Sequence, residues 1–288
     1  MPMDKGARKL IGNIFFFLLI IIIAIYLIFP FYWALISALK TEQELVRTPA
    51  TFFPIDPTLI NFRAVLSNTE FLRGILNSFI VAGVTTILSL LIGAFAGYAL
   101  GKLRFRGRQI SLYVILAMTM FPQVAVLAGL FRVIQAVQGT APWVPTLVLL
   151  IATYLIFTLP FTVWVLTAFF RGLPDSLLQA AQVDGANYSQ TFWNILLPLT
   201  APALATTGIL AFIGAWNEYL FALTFTLQDP GSRTVPVAIS QLSGRVARQE
   251  PVGEIMAGAL IITVPLIILV LFFQNQIVEG LTAGAVKG

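Results

Sequence analysis

The chain has no cysteine and no histidine among its 288 residues. Without cysteine there is no disulfide framework and no thiolate metal site. Without histidine the commonest metal ligand and the usual general base are both missing. No metal centre is expected, and no acid–base enzyme of the common kind. Charge is scarce as well. Asp, Glu, Lys and Arg make up 10% of the chain and hydrophobic residues 58%, whereas a soluble domain carries about 25% charged residues. That balance belongs to the membrane class. A net charge of +5 would point to nucleic acid in a soluble protein. Here it is read as basic loops at one membrane face, with no nucleic-acid partner.

An energy source is missing too. A phosphate-binding loop reads G-x-x-x-x-G-K-[ST]. At Gly101-Lys102 the next residue is Leu103, and Ala96 stands where the leading glycine belongs. A proton or ion relay would set several carboxylates at bilayer depth, and Glu218 is the one candidate. The chain is therefore either a passive pore or a subunit that draws energy from a partner.

Six apolar runs are present, at about 15–37, 78–100, 110–133, 144–169, 201–223 and 255–273. A helix needs roughly 20 apolar residues to cross the bilayer. Each run must be helical, because lipid-exposed backbone satisfies its own hydrogen bonds. The runs are continuous rather than alternating, which argues against a barrel. The expected fold is all-α: one polytopic membrane domain over 1–288 with six transmembrane helices. The first run is too long for a signal-peptide core and is read as a retained span. Prolines fall inside several runs. Pro122 interrupts the third, Pro145 and Pro160 the fourth and Pro265 the sixth, so kinks are expected there. Gly93 and Gly97 form a small-xxx-small pair that permits close helix packing.

Basic residues set the orientation. Lys5, Arg8 and Lys9 precede the first span, and Lys102, Arg104, Arg106 and Arg108 follow the second without an acid. Short Lys/Arg-rich loops stay cytoplasmic. Both termini, the 101–109 loop and the 171–198 segment then lie in the cytoplasm, and 38–77 lies outside. The Arg104–Arg108 cluster is either a plain topology anchor or a contact for anionic lipid.

The 171–198 segment is the one polar, helix-forming island between spans. Pro174 suits a first helical turn, and Asp175 sits near the positive helix end. Asp184-Gly185 stops the helix, with Gly185 free to take the left-handed cap conformation. Ser189 is the expected cap of a second short helix, which Pro198 ends. Small side chains at Ala180, Ala181 and Ala186 leave room for another protein surface. The island has no lysine and a single arginine, Arg171, which argues against a lipid-seeking helix. It is read as a docking element.

At this point a family resemblance appears. QAAQVDGA (179–186), followed by Ile195, Leu197 and Pro198, resembles the EAA motif of ABC-importer permeases, E-A-A-x-x-D-G-A then I-x-L-P. Gln179 stands where the family has Glu, which keeps a hydrogen bond but loses a charge. RGLP (171–174), NSFIVA (77–82), MFPQ (120–123), AWNEYLFAL (215–223) and GLTAGAVKG (280–288) resemble the carbohydrate branch. Within it they look most like the second permease subunit of maltose/trehalose-type importers. The resemblance implies a non-catalytic inner-membrane subunit of a prokaryotic cell, passing a disaccharide or oligosaccharide. Implied partners are a second permease, two ATPase subunits that bind ATP and Mg, and an extracytoplasmic sugar-binding protein. No cofactor of the chain's own is implied. Coupling to the ATPase would rest on Arg171, Pro174, Gln179, Ala180, Ala181, Asp184, Gly185, Ala186 and Pro198. A small, flexible tail with Thr282, Gly284 and Lys287 would reach between the ATPase subunits.

Aromatic faces and fixed polar groups bind sugars. Trp216, Asn217, Glu218 and Tyr219 in the fifth span are candidates for the path, with Gln123, Tyr154 and Thr158 behind them. A carboxylate at the bilayer centre costs about 2.5–3.5 kcal/mol on insertion scales. Glu218 therefore faces a wet cavity, where it meets sugar hydroxyls or forms part of a gate, or it orders helix packing. The competing reading is an autonomous secondary sugar carrier, which predicts inverted repeats and paired ionisable groups.

Overall fold

The structure is a computed structural model that describes residues 5–242 and 251–285. Their regular structure is entirely helical, with no strand among them. They fall into two compact units: Met1–Asn68 with Gln241–Thr263, and Thr69–Ser240 with Val264–Gly288.

In the first unit, α1 (Lys5–Ala38) presents its apolar side chains outward over most of its length. Its most apolar window is entirely unburied, as expected of a helix whose solvent is lipid. A short helix, α2 (Glu42–Leu45), and α3 (Ile60–Ser67) follow. The connection between them is tied by one carboxylate. Glu44 accepts from the Thr51 hydroxyl at 2.6 Å and from the Ile55 amide at 3.1 Å. Asn61 donates to the carbonyls of Ala38 and Lys40, both at 2.9 Å, and so closes the end of α1. These pins give the 38–68 stretch structure that its mixed charge did not foretell.

The second unit is built on α4 (Thr69–Lys102) and α7 (Thr146–Gly172). They pack closely where three glycines of α4 face α7. A Cβ on Gly93 would sit 2.5 Å from the Thr162 methyl, one on Gly97 3.0 Å from the Leu166 Cβ, and one on Gly101 2.8 Å from the Phe170 Cβ. The expected glycine pair is thus a stripe of three at helical spacing, each opposite a larger residue of α7. Ser89 and Thr158 share a hydrogen bond of 2.8 Å across the same contact.

The third span is not one kinked helix. It is α5 (Arg108–Thr119) and α6 (Gln123–Thr140), bent by 93°. Pro122 caps α6 with φ −70° and ψ 120°. It offers no N–H to α5, and its ring disfavours a helical conformation at the residue before it. Of the other prolines, one departs from expectation. Pro145 is the N-cap of α7 rather than an interruption, and Pro160 lies inside α7 without ending it. Pro265 likewise lies inside one continuous helix, α14 (Val252–Ala285), once the intervening elements are counted.

Those elements are α8 (Ser176–Val183), α9 (Tyr188–Thr191), a π turn (Phe192–Leu196), α10 (Leu197–Leu199), α11 (Ala201–Trp216), α12 (Leu220–Phe225) and α13 (Val235–Leu242). The fifth span is shorter than the 201–223 run predicted. Its 16 residues in α11 cover roughly 24 Å at 1.5 Å each, less than the ~30 Å of hydrocarbon. The chain breaks at 217–219 and resumes as α12. Four described helices are long and apolar enough to cross a membrane alone, and six spans result when each bent pair counts as one.

Beyond α12 the chain is stitched to α4 and α7 by short polar side chains. Asn77 donates to the carbonyls of Gly231 and Arg233 at 2.9 and 2.8 Å. The Ser78 hydroxyl accepts from the Val235 amide at 2.8 Å. Asp229 accepts from Thr146 at 2.7 Å and Ser232 at 2.6 Å.

The glycine stripe predicts a graded response. Gly97→Leu forces α4 and α7 apart and costs about 1–3 kcal/mol, the usual range for overpacking. Gly83 of the same helix faces open space, so Gly83→Leu is the matched control. Melting of the detergent-purified protein should fall for the first variant and stay put for the second.

Candidate functional site: a surface element and a polar cavity

The segment after α7 turns out along the surface as two short helices around a glycine corner. α8 runs from its N-cap Asp175 to its C-cap Asp184. Gly185 then adopts φ +77°, a conformation glycine reaches without steric cost. The Gly185 amide donates to the Gln182 carbonyl at 3.1 Å, and that of Ala186 to the Ala181 carbonyl at 2.8 Å. This paired pattern closes a helix C-terminus. The second helix starts on Asn187, not Ser189. Asn187 accepts from the Gln190 amide at 2.9 Å, and the Gln190 side chain accepts from the Asn187 amide at 2.9 Å. Asn and Gln three residues apart form the reciprocal capping box, a signal that was legible in the sequence. Pro198 does not end this helix, which runs on to Leu199 and closes at Thr200. The π turn upstream widens the helix where the proline ring would crowd a carbonyl.

The element has a fixed inner face. Phe192 and Leu196 are buried in a cluster with Tyr98, Leu166 and Phe170, and Leu178 packs against it. Phe95 stacks on Phe192 with ring centroids 4.9 Å apart. Ala181 is 2% exposed. Its small size serves packing onto the chain itself and offers no room to a second protein, contrary to the sequence reading. Ala186 is half-buried.

The outer face holds Arg171, Pro174, Gln179, Ala180, Asp184 and Gly185, and Pro198 is exposed further along. Two apolar residues join them that sequence reasoning passed over. Val183 is 87% exposed and Tyr188 64% exposed, one on each side of the glycine corner. Helical spacing offered a clue. Val183 follows the inward-leaning Leu178 by five residues, roughly 140° around the helix at 100° per residue.

A salt bridge ties this element to the end of α4. The Lys102 Nζ lies 2.6 Å from Asp175 Oδ1 and also donates to the Leu173 carbonyl. The hydrogen bond and charge of Lys102, with the fields of Arg104 and Arg108, hold the Asp175 carboxyl below its ordinary range. Arg108 closes the end of α4 by donating to the carbonyls of Leu100 at 2.7 Å and Gly101 at 2.8 Å. Of the four cations that set the orientation, Lys102 and Arg108 therefore also hold structure.

A cavity of about 470 Å³ opens among α6, α7, α11 and α12. It gathers six of the seven residues proposed for the path: Gln123, Tyr154, Thr158, Asn217, Glu218 and Tyr219. Phe157 and Phe161 supply aromatic wall, and no Lys or Arg lines it. Trp216 is the exception. It is 1% exposed and faces away, against Phe79 at 4.8 Å and Phe212 at 5.6 Å.

Glu218 stands at the break between α11 and α12. Its Oε2 accepts from the Tyr154 hydroxyl at 2.6 Å and from the Ala222 amide at 3.1 Å, and its Oε1 from the Phe221 amide at 2.9 Å. Both oxygens thus meet donors at the N-terminus of α12, where a carboxylate is stabilised by the helix dipole. The ordering role left open by the sequence is present, and the carboxylate also borders the cavity.

At the other end of the chain, α14 is helical through Ala285. Thr282 and Gly284 stand on that helix rather than in the flexible tail expected, and Lys287 lies outside the described residues. Among the described residues no group of three metal-ligating side chains comes together.

Comparison with known proteins fits this layout. The chain is 39% identical over 270 residues to the trehalose/maltose transport system permease protein of Thermococcus litoralis, covering 93% of this chain and 94% of that one. It is 38% identical over 263 residues to the trehalose transport system permease protein of Mycobacterium tuberculosis, covering 91% and 93%. Its fold matches a crystal structure of a bacterial ABC transporter that imports the acidic polysaccharide alginate, with a TM-score of 0.77 at 22% identity over 96% of this chain and 99% of that one. Residues 89–282 match a family defined as the inner membrane component of binding-protein-dependent transport systems. With its multiple apolar helices, the chain belongs to that family of inner-membrane transport subunits.

Proposed function

We propose that the chain is the non-catalytic permease subunit of an ATP-driven importer of a disaccharide or oligosaccharide of the maltose/trehalose kind. The observation that carries this reading is the surface element from Arg171 to Thr200. Its inner face is locked into the second unit by Phe192 and Leu196, while Val183 and Tyr188 stand in the open. A rigid, capped element with bare apolar side chains fits insertion into a groove of another protein. The named relatives support the substrate class. An aromatic-walled cavity with Gln123, Tyr154, Asn217 and Glu218 and without Lys or Arg suits sugar hydroxyls.

In this reading two ATPase subunits sit on the cytoplasmic side, where the basic 102–108 segment holds the docking element. ATP and Mg belong to those subunits, and the chain needs no cofactor. A second permease completes the path, and an extracytoplasmic sugar-binding protein delivers the cargo. A push on the element reaches α4 through Lys102 and Asp175 and α7 through Phe170 and Phe192. Movement of α7 against α12 works on the Tyr154–Glu218 hydrogen bond and so reshapes the cavity.

Two outcomes test this. Gly185→Trp adds bulk at the corner and forbids the left-handed turn. The assembled complex should keep its fold but lose at least most of its transport-coupled ATP hydrolysis. Normal uptake with normal assembly would sink the docking role. Glu218→Ala removes a helix cap worth about 0.5–2 kcal/mol. It should lower sugar uptake or melting temperature while the ATPase subunits co-purify in unchanged amount. Loss of those subunits would move Glu218 to another site.

A further inference from the structure

The cationic loop between α4 and α5 has parts that neither packing nor the proposed coupling uses. Lys102 is spent on Asp175, and Arg108 on the last carbonyls of α4. Arg104 and Arg106 are exposed and make no hydrogen bond or salt bridge among the described residues. Arg104, Gly107, Arg108 and Gln109 line a concavity of about 380 Å³ with Phe105 and Ile110. No acid lies between Gly101 and Thr119. The apolar members face outward: Phe105 is 46% exposed, Ile110 69% and Tyr113 62%.

We infer that this concavity binds the phosphodiester of an anionic membrane lipid, with Arg104 in its lining on the headgroup and the exposed Arg106 adding charge beside it. Position favours that ligand. The loop joins the ends of two membrane helices, so it lies at headgroup depth whichever leaflet it faces. Polybasic segments there attract anionic lipid, each cation contributing a factor of about five. A plain topology anchor needs charge alone. It requires neither a concavity nor exposed Phe105, Ile110 and Tyr113, which are placed to meet acyl chains below the headgroup. A free phosphate gains nothing from those three side chains. The rigid Arg108, bonded to two carbonyls, fixes one positive charge at the floor, and aromatic and aliphatic neighbours suit the membrane interface.

The test uses the intact complex in nanodiscs of phosphatidylcholine alone or mixed with phosphatidylglycerol, with retained lipid counted by native mass spectrometry. The wild type should hold phosphatidylglycerol in preference. Arg104→Gln with Arg106→Gln should cut that preference by roughly 25-fold, the product of two fivefold steps, with unchanged melting in phosphatidylcholine. If melting falls, the double Lys variant decides, because it keeps the charge and should keep the preference. Equal retention of both lipids by the wild type overturns the inference, as does an unchanged preference in the Gln pair. Displacement of the lipid by millimolar inorganic phosphate overturns the lipid as ligand.

Discussion

An amide in hydrocarbon has no water to turn to, and leaving one unmet costs several kcal/mol. The rest of this structure depends on how that constraint is satisfied where helices stop. α4 and α14 satisfy it by running unbroken for 34 residues each. The fifth span does not, because α11 ends at Trp216. The donors freed at the start of α12 are taken up by Glu218, whose second oxygen also holds Tyr154. One side chain thereby permits a break, orients the residues around it and brings polar groups to the edge of a cavity. The near-right-angle turn at Pro122 obeys the same rule by a different route, since proline has no donor to leave unmet.

The surface element shows the complementary case, a polar segment made rigid without a core of its own. Its two helices are too short to be stable alone. Each is closed by local bonds, at Gly185 and at Asn187 with Gln190. Stability comes from the aromatic cluster of Phe95, Tyr98, Phe170 and Phe192, which lies on α4, α7 and the element itself. The exposed Val183 and Tyr188 are then held at fixed positions on a fixed frame.

Much of this could be read from residue order. Continuous apolar runs announced the spans, Asp184-Gly185 announced the corner, and the polar residues Gln123, Tyr154, Asn217 and Glu218 announced the cavity that gathers them. Other features depend on partners distant in the chain. Lys102 and Asp175 are 73 residues apart, and nothing local marks them as a pair. Ala181 resembles its neighbour Ala180 in sequence, yet helical phase buries one and exposes the other. Trp216 and Glu218 are two residues apart, but Trp216 is the last residue of α11 and Glu218 lies in the break after it, so one packs against Phe79 and Phe212 and the other borders the cavity. The break at 217–219 was hidden because hydropathy is blind to hydrogen-bond termination.

The glycine stripe on α4 has a mechanical meaning. Side chains between two helices act as a cushion, since rotamers can yield when the helices slide. At Gly93, Gly97 and Gly101 α4 contributes no cushion, and its main chain meets the Thr162 methyl and the Cβ atoms of Leu166 and Phe170. α4 and α7 are in effect one beam. Any flexing within this unit then falls where its helices are already interrupted, at Pro122 and at 217–219, next to the cavity lined by Gln123, Asn217, Glu218 and Tyr219.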